Sequence, residues 1–197
     1  MRKSIIAFVI ILMTTLVSCG GNNHSDYSKI YERYHNINSY TAKVKVTVNS
    51  DNGQSVYTAK QSFLHPGMYK LDYTSDVMKG ISCVLKNDVL YYKDTEGKVS
   101  EFKGYIPYEK NYIFINDFFE RYCKSEEAQS RAKGNYTVFT LKENNKTPHR
   151  AYMELYTDKK QKPHKLITYN DKGEKVIIVE FTEFNADAPL SEKDFKL

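Results

Sequence analysis

The sequence predicts an α+β fold: a strongly curved antiparallel β-sheet that forms a half-open β-barrel, with helices packed on its concave side. One observation behind this prediction is the alternation of apolar and polar residues over residues 40–49, which is typical of a strand with one buried and one solvated face. The other is the order of the elements, because a helix and several short strands precede a mid-chain helix and four strands follow it. A sheet of this kind holds a core that can open into a cleft.

The first helix is predicted over residues 26–36. Aromatic and aliphatic residues recur there at spacings of three and four, at Tyr27, Ile30, Tyr31 and Tyr34. Ser25 or Asp26 can cap its first turn. We expect the resulting aromatic stripe to pack on the sheet.

Six strands are predicted before the mid-chain helix. They cover residues 40–49, 54–64, 68–73, 81–86, 89–93 and 99–102. Turn-forming residues separate them, as Asp51-Asn52-Gly53 does in the first hairpin. A loop rich in aromatic rings is predicted over residues 104–112.

The mid-chain helix is predicted to begin at Asn116 or Asp117. Its apolar face is expected to carry Phe118, Phe119, Tyr122 and Cys123. Residues 125–134 are polar and predict a loose connection.

Four more strands follow that connection. They are predicted over residues 136–142, 150–157, 164–169 and 175–184. In the tail, Ser191 and Asp194 can form a cap, and Phe195 can anchor the segment.

The N-terminus has the features of a bacterial lipoprotein signal peptide. Two basic residues precede an apolar run over residues 5–13 that is short for a membrane span, and Leu16-Val17-Ser18-Cys19 resembles a lipobox. In lipoproteins the thiol of that cysteine receives a diacylglyceryl group, and cleavage leaves the cysteine at the new N-terminus. The sequence therefore predicts a signal peptide over residues 1–18, lipidation at Cys19, a flexible lipidated tether over residues 19–25, and a single domain over residues 26–197.

Charge and cysteine content limit the classes of function. Removing residues 1–18 takes away Arg2 and Lys3, so the formal net charge falls from +5 to +3. Acids interrupt the basic residues along the chain, which favours solvated strand faces over nucleic-acid binding. Cys83 and Cys123 remain after lipidation, and the sequence leaves open whether they are free or form a disulfide.

No motif in the sequence points to catalysis, a cofactor or a metal. The sequence has no G-x-S-x-G turn, Gly-rich phosphate loop or H-E-x-x-H pair. The five histidines are scattered and lack zinc-like spacing to a cysteine. We expect a protein that is not an enzyme.

Several of these features together resemble a known group of proteins. They are the lipobox at Cys19, the run Asn38-Ser39-Tyr40-Thr41-Ala42-Lys43-Val44, the Pro66-Gly67-Met68-Tyr69-Lys70-Leu71 step and the paired late strands. The sequence is similar in these respects to the LolA/LolB-like lipoprotein-carrier fold group, and within it to the clostridial GerS family of germination lipoproteins. The resemblance implies an unclosed barrel lidded by helices, and it supplies no catalytic residues.

The GerS family assists the CwlD cortex amidase in making muramic-δ-lactam during spore formation. The resemblance therefore implies an extracytoplasmic, lipid-anchored activator in the forespore envelope, whose amidase partner holds the zinc. The alternative is a lipid or lipoprotein carrier that holds an acyl chain in its cleft, although Tyr40, Phe118, Phe119 and Tyr122 could fill such a cavity. Unpaired edges in a half-open barrel also predict self-association as a homodimer.

Overall fold

The computed structural model describes residues 24–104, 113–147 and 150–197. Two α-helices are present in these segments, α1 (His24–His35) and α2 (Ile115–Tyr122). The strands before α2 are β1 (Ser39–Ser50), β2 (Gly53–Leu64), β3 (Met68–Tyr73), β4 (Ser82–Lys86), β5 (Val89–Lys93) and β6 (Val99–Lys103). The strands after it are β7 (Gln129–Lys133), β8 (Tyr136–Thr147), β9 (Arg150–Asp158), β10 (Pro163–Tyr169) and β11 (Lys175–Ala186). Short 3-10 helices cover Asp76–Met78 and Glu192–Phe195.

The strands form one open antiparallel sheet. Their order is β6-β5-β4-β3-β2-β1-β11-β10-β9-β8-β7, so β6 and β7 are the two edges. The pairing of β1 with β11 joins an N-terminal half, β1 to β6, to a C-terminal half, β7 to β11. The predicted unclosed antiparallel sheet with two helices is confirmed.

The first hairpin shows how the sequence pattern becomes structure. Tyr40, Ala42 and Val44 on β1 are at most 3% exposed. Lys43 and Lys45, on the alternate positions, point into solvent and pair with glutamates of β11. The turn into β2 uses Gly53 at φ +119°, a conformation that side chains with a Cβ rarely adopt.

Both helices pack on one face of the sheet, mainly over the C-terminal half and β1. The ring of Tyr34 on α1 stacks on Phe119 of α2, with centroids 5.5 Å apart. Phe119 in turn meets Phe139 of β8 edge to face at 5.4 Å. Tyr34 also contacts Phe184 of β11. These ring contacts join the two helices and the sheet in one core.

The C-terminal segment covers the opposite face of the N-terminal half. Phe195 is buried there in a cluster with Met68 and Val84. The segment is held by the predicted capping box between Ser191 and Asp194, so both the cap and the Phe195 anchor are confirmed. We call residues 188–197 the C-terminal strap.

Three local predictions around α2 differ from the structure. The predicted loose connection over residues 125–134 contains β7, whose polar sequence shows no alternation but which pairs with β8 from Gln129 to Lys133. The mid-chain helix begins at Ile115, without a side-chain cap at its N-terminus. Cys123 follows the end of that helix and is exposed, so the prediction that it lies on the apolar face is wrong.

The helices of the described residues include none that is long and apolar enough to span a membrane. The first helix starts at His24, two residues before its predicted start. The predicted ring-rich loop lies outside the described residues from position 105 to 112.

Candidate functional site

A cavity of about 350 Å³ lies on the helix-bearing face of the N-terminal half. Its walls are aromatic and aliphatic side chains from β1 to β5, β11 and the segment entering α2: Val48, Tyr57, Tyr69, Leu71, Tyr73, Cys83, Leu85, Leu90, Tyr92, Ile113, Phe114 and Ile177. The volume is at the lower end of the range of small-molecule pockets, about 300–1000 Å³. Lys70 is the one charged residue among the described residues that line the cavity, so an apolar group of modest size fits it better than a charged one.

Tyr73 is one of the phenols that line the cavity. Tyr57 and Tyr73 approach each other with ring centroids 5.2 Å apart. Burial, with smaller contributions from Cys83 and Tyr92, raises the pKa of Tyr73 to about 12. The Tyr73 phenol is therefore neutral near pH 7 and can donate a hydrogen bond.

A buried polar network fixes the start of α2 beside this cavity. The first amide of the helix, that of Ile115, donates to the Tyr40 hydroxyl at 3.3 Å. The Asn116 amide nitrogen donates to the Tyr69 hydroxyl at 2.8 Å. The Gln61 amide nitrogen donates to the Ile113 carbonyl at 3.0 Å. A side chain of the sheet thus accepts from the first amide of the helix, in place of a local side-chain cap.

The four rings predicted to fill the cleft pack in the core, Phe118, Phe119 and Tyr122 beside the C-terminal half and Tyr40 on β1 next to it. Tyr40, Phe118 and Phe119 are fully buried, and Tyr122 is half-buried against Phe119 and Phe139. Burial raises the pKa of Tyr40 well above the ordinary value for tyrosine, opposed by its hydrogen bond from Ile115. Filled and open regions thus coexist on one face of the sheet.

Charged side chains connect α2 to the adjoining strands. Arg121 contacts Glu143 of β8 and lies 2.7 Å from Asp117 on its own helix. Arg150 of β9 lies 3.6 Å from the same Glu143 carboxylate. Burial raises the pKa of Asp117, and Arg121 opposes that rise. Two acids and two bases balance, so this cluster orients the helix without leaving a net charge.

A second polar cluster occupies the opposite face of the C-terminal half. The Glu154 carboxylate accepts hydrogen bonds from Arg131 at 2.8 Å, from the Tyr156 hydroxyl at 2.6 Å and from the Tyr169 hydroxyl at 3.1 Å. Burial opposes its ionisation, but these donors outweigh burial and hold the pKa of Glu154 below its usual value. Tyr152 stacks on Tyr169 with centroids 4.3 Å apart. We call this group the Glu154 cluster.

The sequence pattern alone does not predict these buried polar groups. Glu154 stands between the core residues Met153 and Leu155, where strand alternation alone would place a charged side chain in solvent. The strand period correctly places its side chain on the face away from the helices. It does not reveal that tyrosines of β9 and β10 bury the carboxylate there.

The predicted lipidation residue, Cys19, lies outside the described residues, as do residues 19–23 of the tether. Within the part of the chain that the structure describes, Cys83 and Cys123 form no disulfide, and Cys83 lines the cavity. Among the described residues, no group of three or more His, Cys, Asp or Glu could hold a metal ion. The ring of His35 stacks on Tyr31, and that of His164 on Tyr136.

Comparison with protein families relates this architecture to a biological process. The model of the YdcC-like sporulation proteins matches residues 1–195 of the chain. The chain belongs to the YdcC-like sporulation protein family. A comparison with the sequences of curated proteins gives no match.

Solved structures show where else this fold occurs. The chain is similar to the structure of the CwlD amidase from Clostridioides difficile in complex with the GerS lipoprotein, with a TM-score of 0.52, 19% identity, and coverage of 84% of this chain and 96% of that chain. It is also similar to an uncharacterized conserved protein from Thermus thermophilus, with a TM-score of 0.56, 12% identity, and coverage of 87% of this chain and 93% of that chain. The predicted resemblance to GerS is confirmed.

A third similar structure is the MucA/MucB complex of Pseudomonas aeruginosa, with a TM-score of 0.51 and 13% identity. The match covers 87% of this chain and 60% of that one. At such identities the likeness shows the fold alone, so partners remain a matter for proposal.

Proposed function

We propose that this member of the YdcC-like family is a lipid-anchored, non-enzymatic accessory protein of spore formation. In this role it binds and activates a cortex N-acetylmuramoyl-L-alanine amidase, which enables muramic-δ-lactam formation and so germination. The zinc and the catalytic groups belong to the amidase. The helix-bearing face is the concave side of the curved sheet in this proposal.

The observation that carries the proposal is the sporulation-family match over residues 1–195. The fold adds support, because the GerS lipoprotein, found in complex with the CwlD amidase, has a similar chain over 84% of this one. The filled core adds a physical argument. Rings that pack helices tightly on a sheet make a rigid body, and rigid bodies present preorganised surfaces to partners.

Reconstitution tests this proposal directly. Zinc-loaded cognate amidase is incubated with muramyl-peptide substrate while the full chain, in detergent, is titrated to a stoichiometric amount. We expect the two proteins to co-elute and the cleavage rate to rise until the ratio reaches one to one. The control is the same protein after thermal unfolding. Unchanged amidase activity together with separate elution would contradict the proposal.

Anchoring at Cys19 is part of the same proposal and has its own test. Cys19→Ala should move the protein from the membrane fraction to the soluble fraction without changing its circular dichroism, because the position precedes the described domain. Cys123→Ala is the matched control, since it also removes one thiol but from an exposed position in the domain. Retention of Cys19→Ala in the membrane fraction would argue against lipid anchoring.

The cavity favours a second candidate, an acyl-chain or lipoprotein binder. Its volume of about 350 Å³ and its apolar walls could hold part of an acyl chain. Native mass spectrometry of protein extracted from membranes should then show non-covalent lipid, and Leu90→Trp should reduce its occupancy. Val56→Trp, an exposed position on β2, is the control. Wild-type protein that is consistently empty would exclude this candidate.

A further inference from the structure

Two lysines converge on one tyrosine ring at the face of the C-terminal half that points away from the helices. The Lys165 ammonium lies 4.5 Å from the centroid of the Tyr156 ring. The Lys133 ammonium lies 5.6 Å from the same centroid and 3.4 Å from the Tyr156 hydroxyl. The ring attracts each cation, but the two like charges repel each other. A bound anion would remove that repulsion.

Carboxylates of the described residues do not balance these two lysines. Glu154 already accepts hydrogen bonds from Arg131 and from two tyrosines. Glu180, whose carboxylate is half-exposed, lies 3.9 Å from Lys45. In the part of the chain that the structure describes, no carboxylate forms an ion pair with either lysine at the Tyr156 ring. Their positive charges are therefore available to a partner.

The turn between β9 and β10 adds more positive charge beside this face. Its lysines, Lys159, Lys160 and Lys162, are exposed. The one acid of the turn is Asp158, which accepts hydrogen bonds from the amides of Lys160 and Lys162 at 2.8 and 2.9 Å. The surface thus offers an excess of ammonium groups, and charge complementarity favours an anionic partner.

Aromatic rings lie at both ends of the same face. Tyr152 stacks on Tyr169 with centroids 4.3 Å apart, and Tyr136 stacks on His164 at 4.9 Å. Tyr136 pairs with Asp158 of β9, so the two stacked pairs are about 20 Å apart along the strand direction. Tyr136 and Tyr152 are half-buried and keep part of their surface in solvent. We call the surface between these ring pairs, with Lys133 and Lys165, the basic strip.

An extended polymer that carries both carboxylates and flat apolar faces fits the basic strip. Carboxylates form charge-assisted hydrogen bonds with ammonium groups. The C–H faces of sugar rings can pack on tyrosine rings, and sugar hydroxyls can bond to the phenols. An acidic peptide offers the charges but not the flat faces. The ring pairs therefore favour a glycan over a peptide.

The proposed amidase partner generates such a glycan. Hydrolysis of the N-acetylmuramoyl-L-alanine amide adds water across the bond between sugar and peptide. The amine leaves with the peptide, and a carboxylate remains on the muramoyl sugar. We propose that the basic strip binds this carboxylate-bearing glycan strand, an inference that rests on the proposed function. The lysines bind the muramoyl carboxylates, and the two ring pairs contact sugar rings along the strand.

Binding by the full chain alone, in detergent, tests the proposal. Fluorescently labelled glycan strands, freed of peptides by an N-acetylmuramoyl-L-alanine amidase, are titrated with the protein at low salt, and anisotropy is measured. Neutral chitin oligosaccharides of similar length should bind at least about tenfold more weakly, because they have no carboxylate. Poly-glutamate of similar charge should also bind more weakly than the glycan, because it has no sugar rings.

Substitutions test whether the basic strip is the site. Lys133→Gln and Lys165→Gln should each weaken glycan binding by about threefold, and together by about tenfold. Tyr136→Leu should weaken it by about threefold without weakening poly-glutamate binding. Lys60→Gln, an exposed position on the same face of the sheet but on β2, is the control and should leave binding unchanged. Circular dichroism confirms that each variant folds.

Three results would overturn the proposal. One is chitin that binds as tightly as the peptide-free glycan, and another is an equal loss of binding in Lys60→Gln and Lys133→Gln. The third is poly-glutamate that binds more tightly than the glycan, which would indicate an acidic protein segment as the partner. These assays contain no amidase during binding, so failure here is distinct from failure of the proposed function, which appears as unchanged amidase activity and separate elution.

Discussion

The two halves of the sheet differ in how their two faces are covered. In the C-terminal half, α1 and α2 fill one face with stacked rings and the Glu154 cluster covers the other. In the N-terminal half, the helix-bearing face keeps a cavity of about 350 Å³, and the opposite face is covered by the C-terminal strap. One half is therefore a rigid scaffold, and the other keeps open space.

The largest expected difference between the halves is the cost of removing a side chain. Phe119→Ala should lower the free energy of unfolding by about 3–5 kcal/mol, because it leaves a hole among fully buried rings. Leu90→Ala, beside the existing cavity, should lower it by only about 1–2 kcal/mol, since little new surface loses its contacts. Urea unfolding measures both values. Equal losses would show that the open half is as tightly packed as the filled one.

The balance between local pattern and tertiary contact explains what the sequence can predict. Alternation over β1 and the turn at Gly53 are local, and both appear in the structure as expected. The strand β7 has no apolar period and exists because β8 pairs with it. Similarly, α2 starts at Ile115, whose amide donates to Tyr40, distant in sequence, rather than at the predicted Asn116 or Asp117. The cavity could not be predicted either, since it depends on which rings from separate strands leave space between them.

A smaller effect on stability is expected at the Glu154 cluster, and it depends on pH. The folded pKa of Glu154 lies below its usual value of 4.5, so the folded state binds fewer protons than the unfolded state in mild acid. Its contribution to stability is complete above about pH 4.5 and is lost as pH falls through the folded pKa.

Glu154→Gln should therefore cost about 1–3 kcal/mol near neutral pH and should flatten the loss of stability between about pH 5 and pH 3. Glu183→Gln, whose carboxylate is exposed in a pair with Lys43, is the control and should change little. Urea midpoints measured across this pH range test the prediction. An unchanged acid profile in Glu154→Gln would mean that other carboxylates control the acid sensitivity.

The smallest effect is expected from filling the open half. Cys83→Leu adds volume at the cavity wall and should change stability by less than about 1 kcal/mol. Phe118→Trp adds volume in the filled half and should cost about 1–3 kcal/mol through overpacking. Thermal unfolding measures the change in stability of each variant. A large loss of stability in Cys83→Leu would indicate that contacts which the substitution disturbs close the cavity.

In the role that we propose, this domain serves a cortex amidase during sporulation. The most direct measurement is the muramic-δ-lactam content of the cortex in spores that lack this protein but still contain the amidase, as verified by immunoblot. We expect the lactam to be nearly absent and the wild-type gene to restore it. An unchanged lactam content in those spores would contradict the proposed role of the protein.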